Sequence, residues 1–171
     1  PLIDPNYSSS TVQIRHEGTN LTRLDKTRLI ADWEAGLQNL RVCNKTKHYR
    51  AHRLNCGQCE KCVRTMLGLV ALGALHRCEA FPSKEVSAQL VESAVRLGPT
   101  TILLYRELLA PLAEKGRDDL VQAVNEQIEK YQTSQRWKRR KETFKELDAK
   151  FLNSNLIRLK RAIYRPRMSH V

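Results

Sequence analysis

Apolar positions recur at three- and four-residue intervals over most of this chain, so helices dominate the expected fold. The first stripe is Leu24, Leu29, Ile30 and Trp33, with Gly36 as its stop. Thr22 and Asp25 stand at its start with capping-box spacing, Asp taking the place of the usual Glu or Gln. Val63, Met66, Leu67 and Val70 predict a second helix, from Glu60 to about Gly73. Beyond Pro82 the pattern is helical throughout. Ser83 reads as the cap of a segment with Val86, Leu90, Ala94 and Leu97, closed by Gly98 and Pro99. Thr100 or Thr101 starts the next, with Leu104, Leu108, Leu109 and Leu112, ending before Gly116. Asp118 and Asp119 suit the N-terminus of a third, carrying Leu120, Val124, Ile128 and Tyr131. Trp137, Phe144, Leu147 and Phe151 mark a fourth, and Leu156, Leu159 and Ile163 a basic fifth before Pro166. Such stripes are most simply core contacts of a helical bundle.

Alternating patterns are scarce. TVQIRHE, residues 11–17, alternates loosely and predicts a short strand after a proline- and serine-rich lead-in over 1–10. LRVC, residues 40–43, predicts another. The expected organisation is therefore mainly α, with a first part over residues 1–80 and a basic helical extension over 81–171. No 20–50-residue repeat stands out.

Four cysteines change this picture from architecture to chemistry. Cys43, Cys56, Cys59 and Cys62 form a C-x12-C-x2-C-x2-C array, and only Cys78 is left over. Thiolates at C-x2-C spacing turn back onto one ion, and a fourth arriving across a loop closes a tetrahedral shell, the arrangement of structural zinc. Gly57 permits the tight turn inside the first pair. An iron–sulfur cluster and disulfides are the competing readings. The ferredoxin run continues with x3-C-P, whereas Val63, Arg64, Thr65 and Met66 follow Cys62. Disulfides suit an oxidising compartment, and five is an odd count. Cys78 reads as a packed or free thiol. Cys62, in the first turn of its helix, is placed where the dipole favours thiolate.

Charge adds a second theme. The net charge is +12, and residues 135–171 hold twelve Lys/Arg against three Asp/Glu. Such an end attracts phosphate backbones or acidic partners, or is simply a solvated helix face. Nucleic acid or an acidic protein is the expected partner, through Lys138, Arg139, Arg140, Lys141, Arg158, Lys160 and Arg161. The loop from Asn44 to Asn55 is also basic, with Lys45, Lys47, Arg50, Arg53, His48 and His52 and no acid. Apolar residues are 41 %, and MLGLVALGAL is too short to span a membrane, so no membrane partner is expected. No secretory or transit pattern is visible, which makes the cytoplasm the default location. The chain begins at Pro1 and reads as a fragment of a longer protein.

From about Arg23 to Leu75 the order of parts resembles the C-terminal portion of the N-type ATP pyrophosphatases, particularly the 7-cyano-7-deazaguanine synthases. RLDKTRLIADW is similar to that family's lysine-containing helix, and CGQCEKC followed by a helix is similar to its zinc segment. The resemblance implies a structural zinc on Cys43, Cys56, Cys59 and Cys62, and places Lys26 toward a nucleotide site. It also implies that residues 1–80 are the end of an α/β domain, and that the parent uses ATP to adenylate a carboxylate or similar oxygen. The family's SGGxDS pyrophosphate loop is absent, since YSSST has no glycine and no Asp-Ser. Without those backbone donors this chain alone is not expected to turn over ATP. Val42 and Asn44 stand where the family has Ser and Tyr, and about 109 residues follow Cys62 where the synthase soon ends. Arg64 follows Cys62 by two residues, where the family has three.

Two other functions fit the same residues: a tRNA-modifying relative in the superfamily, or a non-enzymatic, zinc-stapled helical adaptor for nucleic acid or protein. No catalytic constellation is visible. His16, His48, His52, His76 and His170 are scattered, and no Ser-His-Asp set or carboxylate pair is evident.

Overall fold

The structure is a computed structural model that describes residues 3–45 and 54–163, with side chains through residue 159. It is mainly helical, and no strand forms among the described residues. Two compact units divide at Gln127 and Ile128. The expected division after residue 80 falls inside the first of them, because helices on both sides of that point pack together.

The first unit is built around α3 (Glu60–Ala71). Cys62, Val63, Met66, Leu67 and Leu69 are wholly buried there, and Arg64, Thr65, Gly68 and Ala71 nearly so. Three neighbours cover it: α1 (Arg23–Ala31), α4 (Ala88–Ala94) and α5 (Thr101–Glu114). Burying one such Leu or Met is worth roughly 1.5–3 kcal/mol, so this short helix holds much of the unit's apolar stabilisation. The face of α5 turned inward carries Ile102, Tyr105, Leu108 and Leu112, one step around the helix from Leu104 and Leu109.

The capping box of α1 forms as its sequence predicts. Asp25 N–H donates to Thr22 Oγ1 and Thr22 N–H to the Asp25 carboxylate, at 3.1 and 3.0 Å. Gly36 does not end this helix. α1 stops at Ala31, and Gly36 lies inside a separate short helix, α2 (Glu34–Gln38). There the Trp33 ring lies so close that a Cβ on Gly36 would meet it at 2.4 Å. Leu24 and Ala31 are buried, whereas Leu29 and Trp33, expected on the core stripe, are exposed.

The two expected strands are irregular segments instead. A strand needs a ladder partner. Around residues 11–17 serine hydroxyls take that place: Val12 and Ile14 N–H groups donate to Ser9 and Ser8 Oγ. Residues 40–43 are held by an asparagine side chain, described below. Ser83 caps no helix, for Ser87 does so by accepting from Leu90 N–H. The stretch before it is pinned open by Arg117, whose guanidinium donates to Val86 O at 2.8 Å.

Beyond Gly116 the third and fourth expected helices are one, α6 (Asp118–Leu152). No Gly or Pro interrupts these 35 residues, so nothing signals a stop between Tyr131 and Trp137. In the second unit α6 ends in a turn with Asn153 and Ser154 at positive φ, and α7 (Asn155–Ile163) follows. Asp148 caps it, accepting from Leu156 and Ile157 N–H at 3.1 and 2.9 Å.

Candidate metal centre

The first ligand pair is set by a turn. Gly57 has φ +72°, and a Cβ there would lie 2.8 Å from Pro82, so both conformation and space favour glycine. The turn points Gln58 and Cys59 N–H at Cys56 Sγ, at 3.5 and 3.3 Å. Cys59 is the N-cap residue of α3 and Cys62 lies in its first turn, so the helix fixes both relative to Cys56.

Cys43 arrives from a distant segment, and Asn55 brings it there. Asn55 is buried; its Oδ1 accepts from Val42 and Cys43 N–H at 2.9 and 3.1 Å. Its Nδ2 donates to Leu40 O and Ala80 O at 2.7 and 2.9 Å. One side chain thus ties the residue before the turn to the backbone of 40–43 and to the chain after α3. Sequence reasoning missed this residue, because a lone Asn in a basic loop carries no periodic signal.

The four sulfurs converge. Cys43–Cys59, Cys56–Cys62 and Cys59–Cys62 Sγ atoms are 3.9, 3.7 and 3.4 Å apart, and all four lie within 4.8 Å of one another. A tetrahedron of sulfurs about 2.3 Å from a central Zn²⁺ has edges of about 3.8 Å. These separations are far longer than an S–S bond of about 2.05 Å, and the thiols are free. A cluster of several irons would seat the sulfurs on different metal atoms and hold them further apart. The donor set therefore fits a single tetrahedrally held ion.

Protonation differs among the ligands. Burial opposes ionisation of Cys43, but backbone N–H groups of Lys45 and Cys56 and the neighbouring thiols outweigh it and bring the thiol down to about 7. At Cys59 and Cys62 burial prevails and raises the thiols above their ordinary range. At Cys62 burial thus outweighs the favour expected from the helix dipole.

A polar cluster supports the first turn of α3. Glu60 accepts from the Tyr105 hydroxyl at 3.1 Å and pairs with Arg64 at 3.0 Å. Burial, then the Glu60 charge, raises the Tyr105 hydroxyl, which therefore stays a donor. Arg64 Nε and Glu107 Oε1 are buried without a protein partner and line the same small cavity between α1, α3 and α5. The spacing of Ile102, Tyr105, Leu108 and Leu112 is the signal that would have placed Tyr105 inward.

Cys78 is buried apart from this cluster, its thiol donating to Leu37 O at 3.2 Å. Lys26 is exposed on α1 and is not among the residues gathered at the sulfurs. His16 pairs with Asp4 and His76 is exposed, while His48, His52, Lys47, Arg50 and Arg53 lie outside the described residues, as does His170. Among the described residues no helix is long and apolar enough to cross a membrane. Compared with family models, curated proteins and solved structures, the chain has no match.

Proposed function

We propose that Cys43, Cys56, Cys59 and Cys62 hold one structural Zn²⁺, and that the module they staple is the C-terminal portion of a synthase-like, adenylating ATP pyrophosphatase. The observation that carries the metal half is the convergence of four sulfurs at tetrahedral separations. With four protein ligands no position is left for water, so the ion supplies fold and not a nucleophile. It joins the 40–43 segment to the start of α3, around which the first unit is packed.

The enzymatic half rests on the resemblance of residues 23–75 to that family. In this reading Lys26 faces a nucleotide held mainly by the parent's pyrophosphate loop, and the chain by itself binds metal without turning over ATP. Elemental analysis and X-ray absorption on freshly purified protein test the metal: one zinc with four sulfurs at about 2.3 Å is expected. Iron, or no metal, overturns it. A pyrophosphate-release assay with carboxylate acceptors tests the second part and should read background. Robust turnover by these 171 residues would place the active site inside the chain and reject the proposal.

A further inference from the structure

The second unit carries an apolar surface that nothing in the chain covers among the described residues. Trp137, Phe144 and Phe151 recur every seven residues on α6 and so share one face. They are 68, 50 and 70 % exposed, and Leu147 beside them is 50 % exposed. Leu152 and, on α7, Leu156 and Leu159 are exposed as well. Large apolar side chains in this number do not stay in water without a reason.

Charge selects the occupant. At about 100° per residue, Arg136, Arg140 and Lys141 fall within or beside the aromatic arc. Glu142 and Glu146 fall on the opposite side of the helix. The acid nearest the arc, Asp148, is 2 % exposed, and its carboxylate is occupied by Leu156 and Ile157 N–H. Over residues 136–152 the face therefore combines apolar side chains with cations and presents no free carboxylate.

We propose that this face of α6 lies on an anionic lipid surface, with the aromatic and leucine side chains entering the acyl boundary and the cations meeting headgroups. Arg and Lys stems are long enough to keep their charges at headgroup level while the apolar arc is buried. Nucleic acid would use the cations but gives Leu147, Leu152, Leu156 and Leu159 nothing to pack on. A second copy would match the apolar arc, but packed in parallel it sets Arg136, Arg140 and Lys141 against themselves, and in neither direction does the arc offer them a free acid. The mode is surface contact, which needs no spanning helix and so departs from the expectation, drawn from span length alone, of no membrane partner.

The full chain carrying Trp33→Phe tests this, because Trp137 is then the sole indole. Vesicles of phosphatidylcholine with phosphatidylglycerol should sediment the protein and shift Trp137 emission to the blue, and pure phosphatidylcholine should do neither. Replacing Arg136, Arg140 and Lys141 by Gln should weaken partition on the order of 100-fold, since each cation near the surface contributes about 1 kcal/mol. Phe144→Ser with Phe151→Ser should weaken it at least about 10-fold with helical circular dichroism unchanged, the side chains being exposed in the folded state. No binding to either vesicle overturns the proposal. So does saturable RNA binding that the Gln variant abolishes and the Ser variant does not. Lipid-independent dimerisation lost in the Ser variant would assign the face to a second copy and overturn it equally.

Discussion

α3 and the outer half of α6 carry apolar residues at the same helical spacing and meet opposite fates. α3 is twelve residues long and is buried along nearly its whole length by three neighbouring helices. Residues 136–152 of α6 are exposed except for Asp148, which is consumed as a cap. Periodicity therefore specifies that a helix has an apolar face, and composition around it specifies what meets that face. In α3 the intervening residues, apart from Arg64 paired with Glu60, are small or apolar, with Thr65, Gly68 and Ala71 allowing neighbours on several sides. In α6 they are Lys, Arg and Glu, which leave one narrow arc for contact.

The largest effect expected from breaking this contrast is at the metal. Cys62→Ser, or zinc removal by a strong chelator, should abolish the tetrahedral site and unfold the 40–65 region, since structural zinc binding is coupled to folding by roughly 10 kcal/mol or more. Thermal unfolding followed by circular dichroism, alongside zinc content, reads both consequences. An unchanged midpoint after complete metal loss would show that packing of α3 alone suffices. Leu67→Ala comes next. Leu67 is wholly buried, and the cavity left behind should cost about 2–5 kcal/mol in urea unfolding.

Asn55→Ala sharpens the comparison at a polar position. It leaves Val42 and Cys43 N–H and two carbonyls without their partner, at a cost of about 1–3 kcal/mol for a buried unsatisfied group. Because Asn55 positions the Cys43 backbone, zinc should also exchange faster to a colorimetric chelator. Stability loss with unchanged exchange would mean that Cys43 finds its place without this tie.

How much of this was legible beforehand follows physical lines. Capping chemistry is local, so Thr22 and Asp25 announced the start of α1, and the run from Glu60 announced α3. Cysteine spacing is likewise local for three ligands and needs only one long-range approach, which is why the gathered set was readable. The strand readings at 11–17 and 40–43 failed because a strand is defined by a partner, and here hydroxyl and amide side chains supply the hydrogen bonds. Helical spacing could have placed Tyr105 inward, but the hydrogen-bonding roles of Tyr105 and Asn55 were not legible, because they are fixed by residues 45 and 13 positions away. The merged α6 was readable in principle, since the absence of Gly and Pro over 118–152 is a statement about sequence.

The smallest expected effect tests the comparison most directly. Phe144→Ala removes the same kind of bulk as Leu67→Ala, but from a side chain that is half exposed. Surface substitutions away from caps and networks fall within about ±0.5 kcal/mol. Urea unfolding of the two variants side by side should therefore separate them by several-fold in ΔΔG, with Phe144→Ala close to zero. The helix itself gains slightly from alanine propensity, which pushes the change further toward neutral. A cost at Phe144 matching that at Leu67 would mean that the arc is packed in the folded protein. The difference between the two helices would then be one of partner and not of exposure.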